Sequence, residues 1–203
     1  MSQARVVLAS SNPGKLKEIQ ALFSNIPISL VPQSEFNIED AEETGLSFVE
    51  NAILKARHAA SLTGLAAIAD DSGIEVDVLR GKPGIYSARF AGEGASDEEN
   101  LRLLIESIKP FADAQIDARY QCVLVYLRHA EDPVPLIAQA AWEGYLLTEP
   151  RGSGGFGYDP IFYVPTHKCS SAELAPAEKN RISHRGKALR QLLEKLSAIL
   201  VEQ

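Results

Sequence analysis

The order of apolar and polar positions divides the chain into elements before any other property is considered. Arg5-Val6-Val7-Leu8-Ala9 is a short apolar run, the pattern of a strand buried on both faces. Leu16, Ile19, Leu22 and Phe23 then recur at helical spacing. Asn12 suits the N-cap of that helix, and Pro13 its first position, where a missing N–H costs nothing. Ile28-Ser29-Leu30-Val31 predicts a second strand. Ser47-Phe48-Val49-Glu50 has the spacing of a capping box. It opens a helix with Ala52, Ile53, Ala56, Ala59 and Ala60 as its apolar stripe, closed by Gly64 after Leu62. Leu65 to Ala69 is a further apolar run, and Ile74-Glu75-Val76-Asp77-Val78 alternates cleanly. Those two predict strands separated by a turn at Asp70-Asp71-Ser72-Gly73.

The second half reads less regularly. Gly81-Lys82-Pro83-Gly84 is a turn, and Ile85 to Phe90 a loop or short strand. Ser96-Asp97-Glu98-Glu99 is a second capping box, ahead of a helix with Leu101, Leu104, Ile105 and Ile108 on one side, stopped by Pro110. Arg119 to Leu127 and Val134 to Trp142 are two strands joined as a hairpin through Ala130-Glu131-Asp132-Pro133, so the sheet cannot be purely parallel. Gly152, Gly154 and Gly157 spell a literal G-x-G-x-x-G. It leads into Asp159-Pro160 and an Ile161 to Val164 strand instead of a helix, which removes the dinucleotide reading. A last helix carries Leu189, Leu192, Leu193, Leu196 and Leu200 behind the run Glu178 to Lys187. No repeat, low-complexity tract or linker interrupts the chain, so residues 1–203 are expected to form a single domain.

Composition narrows the class. A chain of 203 residues, 45% hydrophobic, is large enough for a good core. Its net charge of −7 argues against polymeric nucleic acid but leaves room for a small phosphorylated ligand held by local cations. Two cysteines without C-x-x-C indicate neither a disulfide framework nor a zinc site. The apolar run Val6 to Ala9 is too short for a signal peptide, and no transmembrane stretch occurs, so a cytoplasmic, membrane-free protein is expected.

Charge patterning then marks candidate chemistry. Asp70 and Asp71 are adjacent like charges that repel unless a cation or proton compensates, so they read either as a solvated turn or as a divalent-metal site. Ser10-Ser11-Asn12-Pro13-Gly14-Lys15, between a strand and a capped helix, is either a structural turn or an anion site built from N–H groups, the helix dipole and Lys15. Lys55 is either a solvated charge or a cation that reaches the same place. The glycines around Phe156 and Tyr158 describe a plain loop or a backbone that holds aromatic rings near a planar base. Positive charge at the start of the last helix lies at the wrong end of its dipole and suggests an anionic or electron-rich ligand there.

Four separated stretches resemble the inosine triphosphate pyrophosphatase family (XTP/dITP diphosphatases), in its bacterial branch. They are Ala9 to Lys15; Glu42-Glu43-Thr44-Gly45 with Glu50-Asn51-Ala52 and Lys55-Ala56; Ala69 to Gly73; and Gly154 to Pro160 with Ser183-His184-Arg185-Gly186. Ser10 stands where the family has threonine, and it keeps the hydroxyl. The resemblance implies an elongated, two-lobed mixed α/β fold with its active site in the cleft between lobes, as a homodimer. It implies hydrolysis of ITP, dITP and XTP to the monophosphate and pyrophosphate with Mg²⁺. Glu42 and Asp71 would hold the metal, and Asp71 would serve as general base with Asp70 as its neighbour. Lys15, Lys55 and Lys179 would neutralise phosphate, and Ser10, Ser11, Asn12, Pro13, Gly14 and Ser72 would line its path. Phe156, with Gly157 and Tyr158, would stack on the purine; His184 or Arg185 would donate to its 6-oxo group and Asp159 accept from N1–H. The competing readings are a Maf-like nucleotide pyrophosphatase and a non-catalytic nucleotide-binding regulator.

Overall fold

The opening apolar run forms strand β1 (Ala4–Ala9), buried from Val6 onward and exposed at Arg5. The computed structural model describes residues 4–23, 26 and 28–201, the last four of them without side chains. Helix α1 (Pro13–Phe23) starts where the Asn12 side chain accepts the Lys15 N–H at 3.0 Å, and it buries Ile19 and Phe23. Strand β2 (Ile28–Pro32) returns parallel to β1. Helix α2 (Phe48–Thr63) is capped by Ser47 and ended by Gly64 in the left-handed region at φ 67°. The expected reciprocal box is displaced by one residue there. Glu50 accepts from the Leu46 N–H and the Ser47 hydroxyl, at 3.0 and 2.7 Å.

The largest departure from the sequence reading follows. Ala66 through Val76 is one continuous strand, β3, parallel to β1, with no turn at Asp70 to Gly73. Asp and Gly favour turns, which is why the sequence predicts one between the two strand patterns. Here both carboxylates are buried and each is met by cations on its own face of the sheet, so the ladder runs through. The alternating segment ends early as well: Asp77–Leu79 is a 3-10 turn, and Gly84–Arg89 is another where a short strand was one expectation.

Helix α3 (Asp97–Ile108) makes both bonds of its capping box at Ser96 and Glu99. Strands β4 (Ile116–Leu127) and β5 (Leu136–Leu146) follow, with Val134, 66% exposed, left in the connection between them. Short strands β6 (Phe162–Val164) and β7 (Cys169–Ser170) complete a sheet of order β2-β1-β3-β4-β5-β6-β7. β6 pairs antiparallel with both β5 and β7, so the sheet is mixed. Helices α4 (Pro176–Ile182) and α5 (His184–Val201) close the described chain. The architecture is mixed α/β. Among the described residues no helix is long and apolar enough to cross a membrane.

Residue contacts divide the chain into two units. The first comprises Met1–Asp71, Cys122–Ala140 and Arg185–Gln203, the second Ser72–Gln121 and Ala141–His184. Strand periodicity organises the first: Leu8, Ile68 and Leu124 face Ile19 of α1 and Leu189 and Leu192 of α5, whereas Val7, Ala67, Ala69 and Val123 face the alanines of α2. In the second, Ile74, Leu104, Ile108, Ile116, Tyr120, Trp142 and Phe162 form the core. Each such large side chain contributes about 1.5–3 kcal/mol by leaving water.

Candidate functional site

The described residues build two charged constellations, one in each unit. In the first, Asp70 and Asp71 are consecutive strand residues and so project to opposite faces of β3. Asp70 shares its side with Ile68. Lys15 Nζ lies 2.9 Å from its Oδ1 and Arg185 Nε 3.2 Å from its Oδ2. Arg185 also pairs with Glu18 through Nη1, and its side chain is only 2% exposed. Burial pushes the Asp70 carboxyl up, but Lys15, Arg185 and Lys55 outweigh it and hold the group well below the usual carboxylate range. Arg185 is stabilised as a cation: burial opposes its charge, and Asp70 and Glu18 overcome that. Cys122, with Sγ 3.7 Å from Asp70, has its thiol pushed up by burial and by that anion, so it stays protonated.

Asp71 faces α2. Lys55 Nζ donates to Asp71 Oδ1 and to Glu43, both at 2.8 Å. Lys55 is therefore a partnered, largely buried cation and not a solvated one. Its ammonium is pushed down by burial and more strongly up by Asp71, Glu43 and Asp70, so the charge is retained. For Asp71 burial prevails over Lys55 and Lys15, and the carboxyl is raised above its ordinary value. Its Oδ2 is buried and has no hydrogen-bond partner among the described residues. One turn before Lys55, buried Asn51 accepts the Gly45 N–H at 2.8 Å and so tethers the acidic loop. A Cβ on Gly45 would stand 2.6 Å from Glu50 Cβ, so glycine is needed for that approach.

Sequence reasoning missed Glu43 and Glu18. The acidic loop has no regular period, so nothing in its order says which carboxylate meets Lys55. The structure brings Glu43 there and leaves Glu42 exposed. Glu18 could have been found, because three positions after Lys15 puts it on the same face of α1. Among the described residues no group of three or more His, Cys, Asp or Glu side chains is arranged to hold a metal. In the β1–α1 turn, Ser10 Oγ accepts the Asn12 N–H at 3.3 Å, Ser11 donates to Asp40, and Pro13 and Gly14 open α1. Ser72 follows Asp71 in β3, half-buried.

The second constellation centres on Asp159, which is 2% exposed. Its Oδ2 accepts the Phe156 N–H at 2.9 Å and the Lys179 ammonium; its Oδ1 accepts the Ser171 hydroxyl at 2.9 Å and, more loosely, Tyr120 OH at 3.4 Å. The carboxylate expected to meet a purine N1–H is thus surrounded by donors from the protein itself. Asp159 instead ties down the Phe156 backbone and Lys179, whose Nζ lies 4.8 Å from the Phe156 ring centroid. Gly155 makes this possible. At φ 74° it suits glycine, and a Cβ there would stand 2.0 Å from Asp159 Oδ2. Gly157 donates to Asp97 at 3.0 Å. Tyr158, expected beside Phe156 at the ligand, belongs to the core, with its hydroxyl donated to the Ser87 carbonyl at 2.7 Å.

His184 and Arg185, read from sequence as a pair, part company. Neighbours at the start of a helix project about 100° apart and do not face one another. His184 is buried in the second unit, its ring parallel to Tyr120, while Arg185 turns to Asp70 and Glu18 in the first. Arg185 at the head of α5 thus finds two protein carboxylates, which offset its unfavourable place at the helix start.

This chain is similar to known proteins along almost its whole length. The sequence model of the Ham1 family matches residues 6–195. The dITP/XTP pyrophosphatase of Escherichia coli (strain K12) is 57% identical over 192 residues, 95% of this chain and 98% of that protein. The protein of the same name from Thioalkalivibrio sulfidiphilus is 58% identical over equal shares. Among solved structures, a HAM1 protein from Coxiella burnetii superposes with a TM-score of 0.87 at 50% identity, covering 98% of this chain and 100% of that one. The Staphylococcus aureus Ham1 protein gives 0.82 at 39%, over 96% and 98%. Family match, end-to-end identity and fold coincide: the chain belongs to the Ham1 family.

Proposed function

We propose that this chain is a nucleoside triphosphate diphosphatase that hydrolyses non-canonical purine nucleotides (ITP, dITP and XTP) to the monophosphate and pyrophosphate. The names of its full-length relatives support the activity. The observation that carries the chemistry is the contrast between two adjacent buried carboxylates. Asp70 is enclosed by Lys15 and Arg185 and kept ionised, whereas burial prevails at Asp71 and raises its carboxyl above the ordinary value. Environments that push two titratable groups apart separate their roles. Asp71 is the general base toward water; Asp70 positions Lys15.

Asp71 Oδ2, buried and without a hydrogen-bond partner among the described residues, is a hard oxygen donor of the kind Mg²⁺ takes beside water and phosphate. Asp71 and Glu42 would hold it; when bound, it supplies Lewis-acid neutralisation of phosphate charge. Lys15 and Lys55 bring cations to the triphosphate, and the first turn of α1 offers N–H groups beside Ser10 and Ser11. Phe156 stacks on the base with Lys179 behind it, and His184 donates to the 6-oxo group. Adenine presents an amine there and leaves a donor unsatisfied, a penalty of about 1–3 kcal/mol.

The same reading makes residues 1–203 one catalytic domain, acting as a cytoplasmic homodimer on free nucleotides and not on polymeric nucleic acid. Pyrophosphate release from ITP, ATP and dTTP, with and without a chelator, tests it. ITP should be strongly preferred, with turnover lost on chelation and restored by Mg²⁺. Equal turnover of dTTP would favour the Maf-like alternative, and binding without pyrophosphate release a regulator.

A further inference from the structure

A histidine can select a base only if the plane of its ring is fixed, because the direction of its N–H follows that plane. The second unit contains what fixes it. The His184 ring lies parallel to Tyr120, with centroids 4.6 Å apart and planes 7° apart. Trp142 flanks the pair, its ring centroid 6.3 Å from both Tyr120 and His184 and its plane inclined by 23° and 18° to theirs. Phe162 meets Tyr120 and Trp142 at tilted angles, with centroids at 4.7 and 5.0 Å. Tyr120 and Trp142 stand on the neighbouring strands β4 and β5, so the platform under the imidazole is part of the sheet. Tyr120 OH lies 3.4 Å from Asp159 Oδ1, near the outer limit of a hydrogen bond. One buried side chain therefore touches His184 and also the carboxylate that sets Phe156 and Lys179.

We propose that Tyr120 is a positioning residue for base selection: its ring face holds the plane of the His184 imidazole, and its hydroxyl adds a weaker tie to Asp159. This rests on the reading of His184 as the group that meets the purine. Tyr120 itself need touch no substrate.

The test uses the full chain with Tyr120→Leu and Tyr120→Phe. An aromatic pair contributes enough beyond its buried area to change an equilibrium about two- to twelve-fold. Tyr120→Leu should therefore raise KM for ITP and shrink the ITP-over-ATP preference by about that factor, with kcat at saturation little changed. Tyr120→Phe keeps the ring and should retain most of the preference. A readout independent of turnover is the NMR signal of the His184 ring protons, which a stacked tyrosine shifts upfield; it should move downfield in Tyr120→Leu and stay in Tyr120→Phe. If Tyr120→Leu does not fold, Tyr120→Met, close in volume and without a ring face, is read in the same way. Equal losses on ITP and ATP, or an unmoved His184 signal, would overturn the proposal, as would a preference lost entirely in Tyr120→Phe. A wild-type protein without ITP preference would refute the proposed function instead, and the His184 signal would still decide what Tyr120 does.

Discussion

Removing Arg185 tests the electrostatics of the first unit most severely. Its guanidinium is buried against Asp70, which has no exposed side-chain surface, and against Glu18, which is 14% exposed. Arg185→Met keeps the aliphatic stem and deletes the charge, so two carboxylates lose a shared cation in a region that water barely reaches. Breaking a buried pair from one side costs about 3–5 kcal/mol, a fifth or more of the about 5–15 kcal/mol by which native proteins are stable. With a urea slope near the upper end of about 1–3 kcal/mol/M for a chain of this size, the unfolding midpoint should fall by about 1–2 M. The pH dependence has a definite sign. Asp70 is held below its unfolded value, so it contributes stability above the unfolded pKa and loses it as pH falls through the folded one. Without Arg185 that contribution shrinks. The gap between variant and wild type should be widest at neutral pH and should narrow as the solution is acidified through the carboxylate range. Arg185 and Lys15 share Asp70, so on the reading that Arg185 acts through that carboxylate kcat/KM should fall by similar factors for ITP and ATP. A wild-type urea midpoint at neutral pH would refute the reasoning, and a selective loss of ITP preference at intact stability would return Arg185 to the base-reading role.

Asp71→Asn should lower kcat by about 10²–10⁴ while nucleotide binding, followed by equilibrium dialysis, remains measurable, because the amide keeps the shape without the basicity; near-normal kcat would transfer the role to Asp70. Gly155→Ala places a Cβ 2.0 Å from Asp159 Oδ2 at a backbone angle that disfavours side chains, so KM for ITP should rise and the melting temperature fall; an unchanged KM would show that the Phe156 loop is set by something else. Ser96→Ala removes the cap of α3 and should cost about 1 kcal/mol in a urea titration without altering the ITP-over-ATP ratio.

Much of this protein was legible from local order. Helix caps at Asn12, Ser47, Gly64 and Ser96 follow from bonds within a few residues, so the sequence alone specifies them. Strands β1 and β2 and the apolar faces of α1, α2 and α5 follow from period in the same way. Motif residues could likewise be named as candidates. What they do was decided by tertiary placement. Charge compensation acts through space: Asp70 and Asp71 look like a turn until Lys15, Lys55 and Arg185, distant in sequence, supply their counter-charges and let one strand run through them. Arg185 at the head of α5 looks like an unpaired cation until Asp70 and Glu18 meet it. Asp159 looks like a free acceptor until Ser171, Lys179 and the Phe156 N–H surround it. In each case the sequence set the valence of a group, and only the fold determined what occupies it, because partners dozens of residues away leave no local pattern to read.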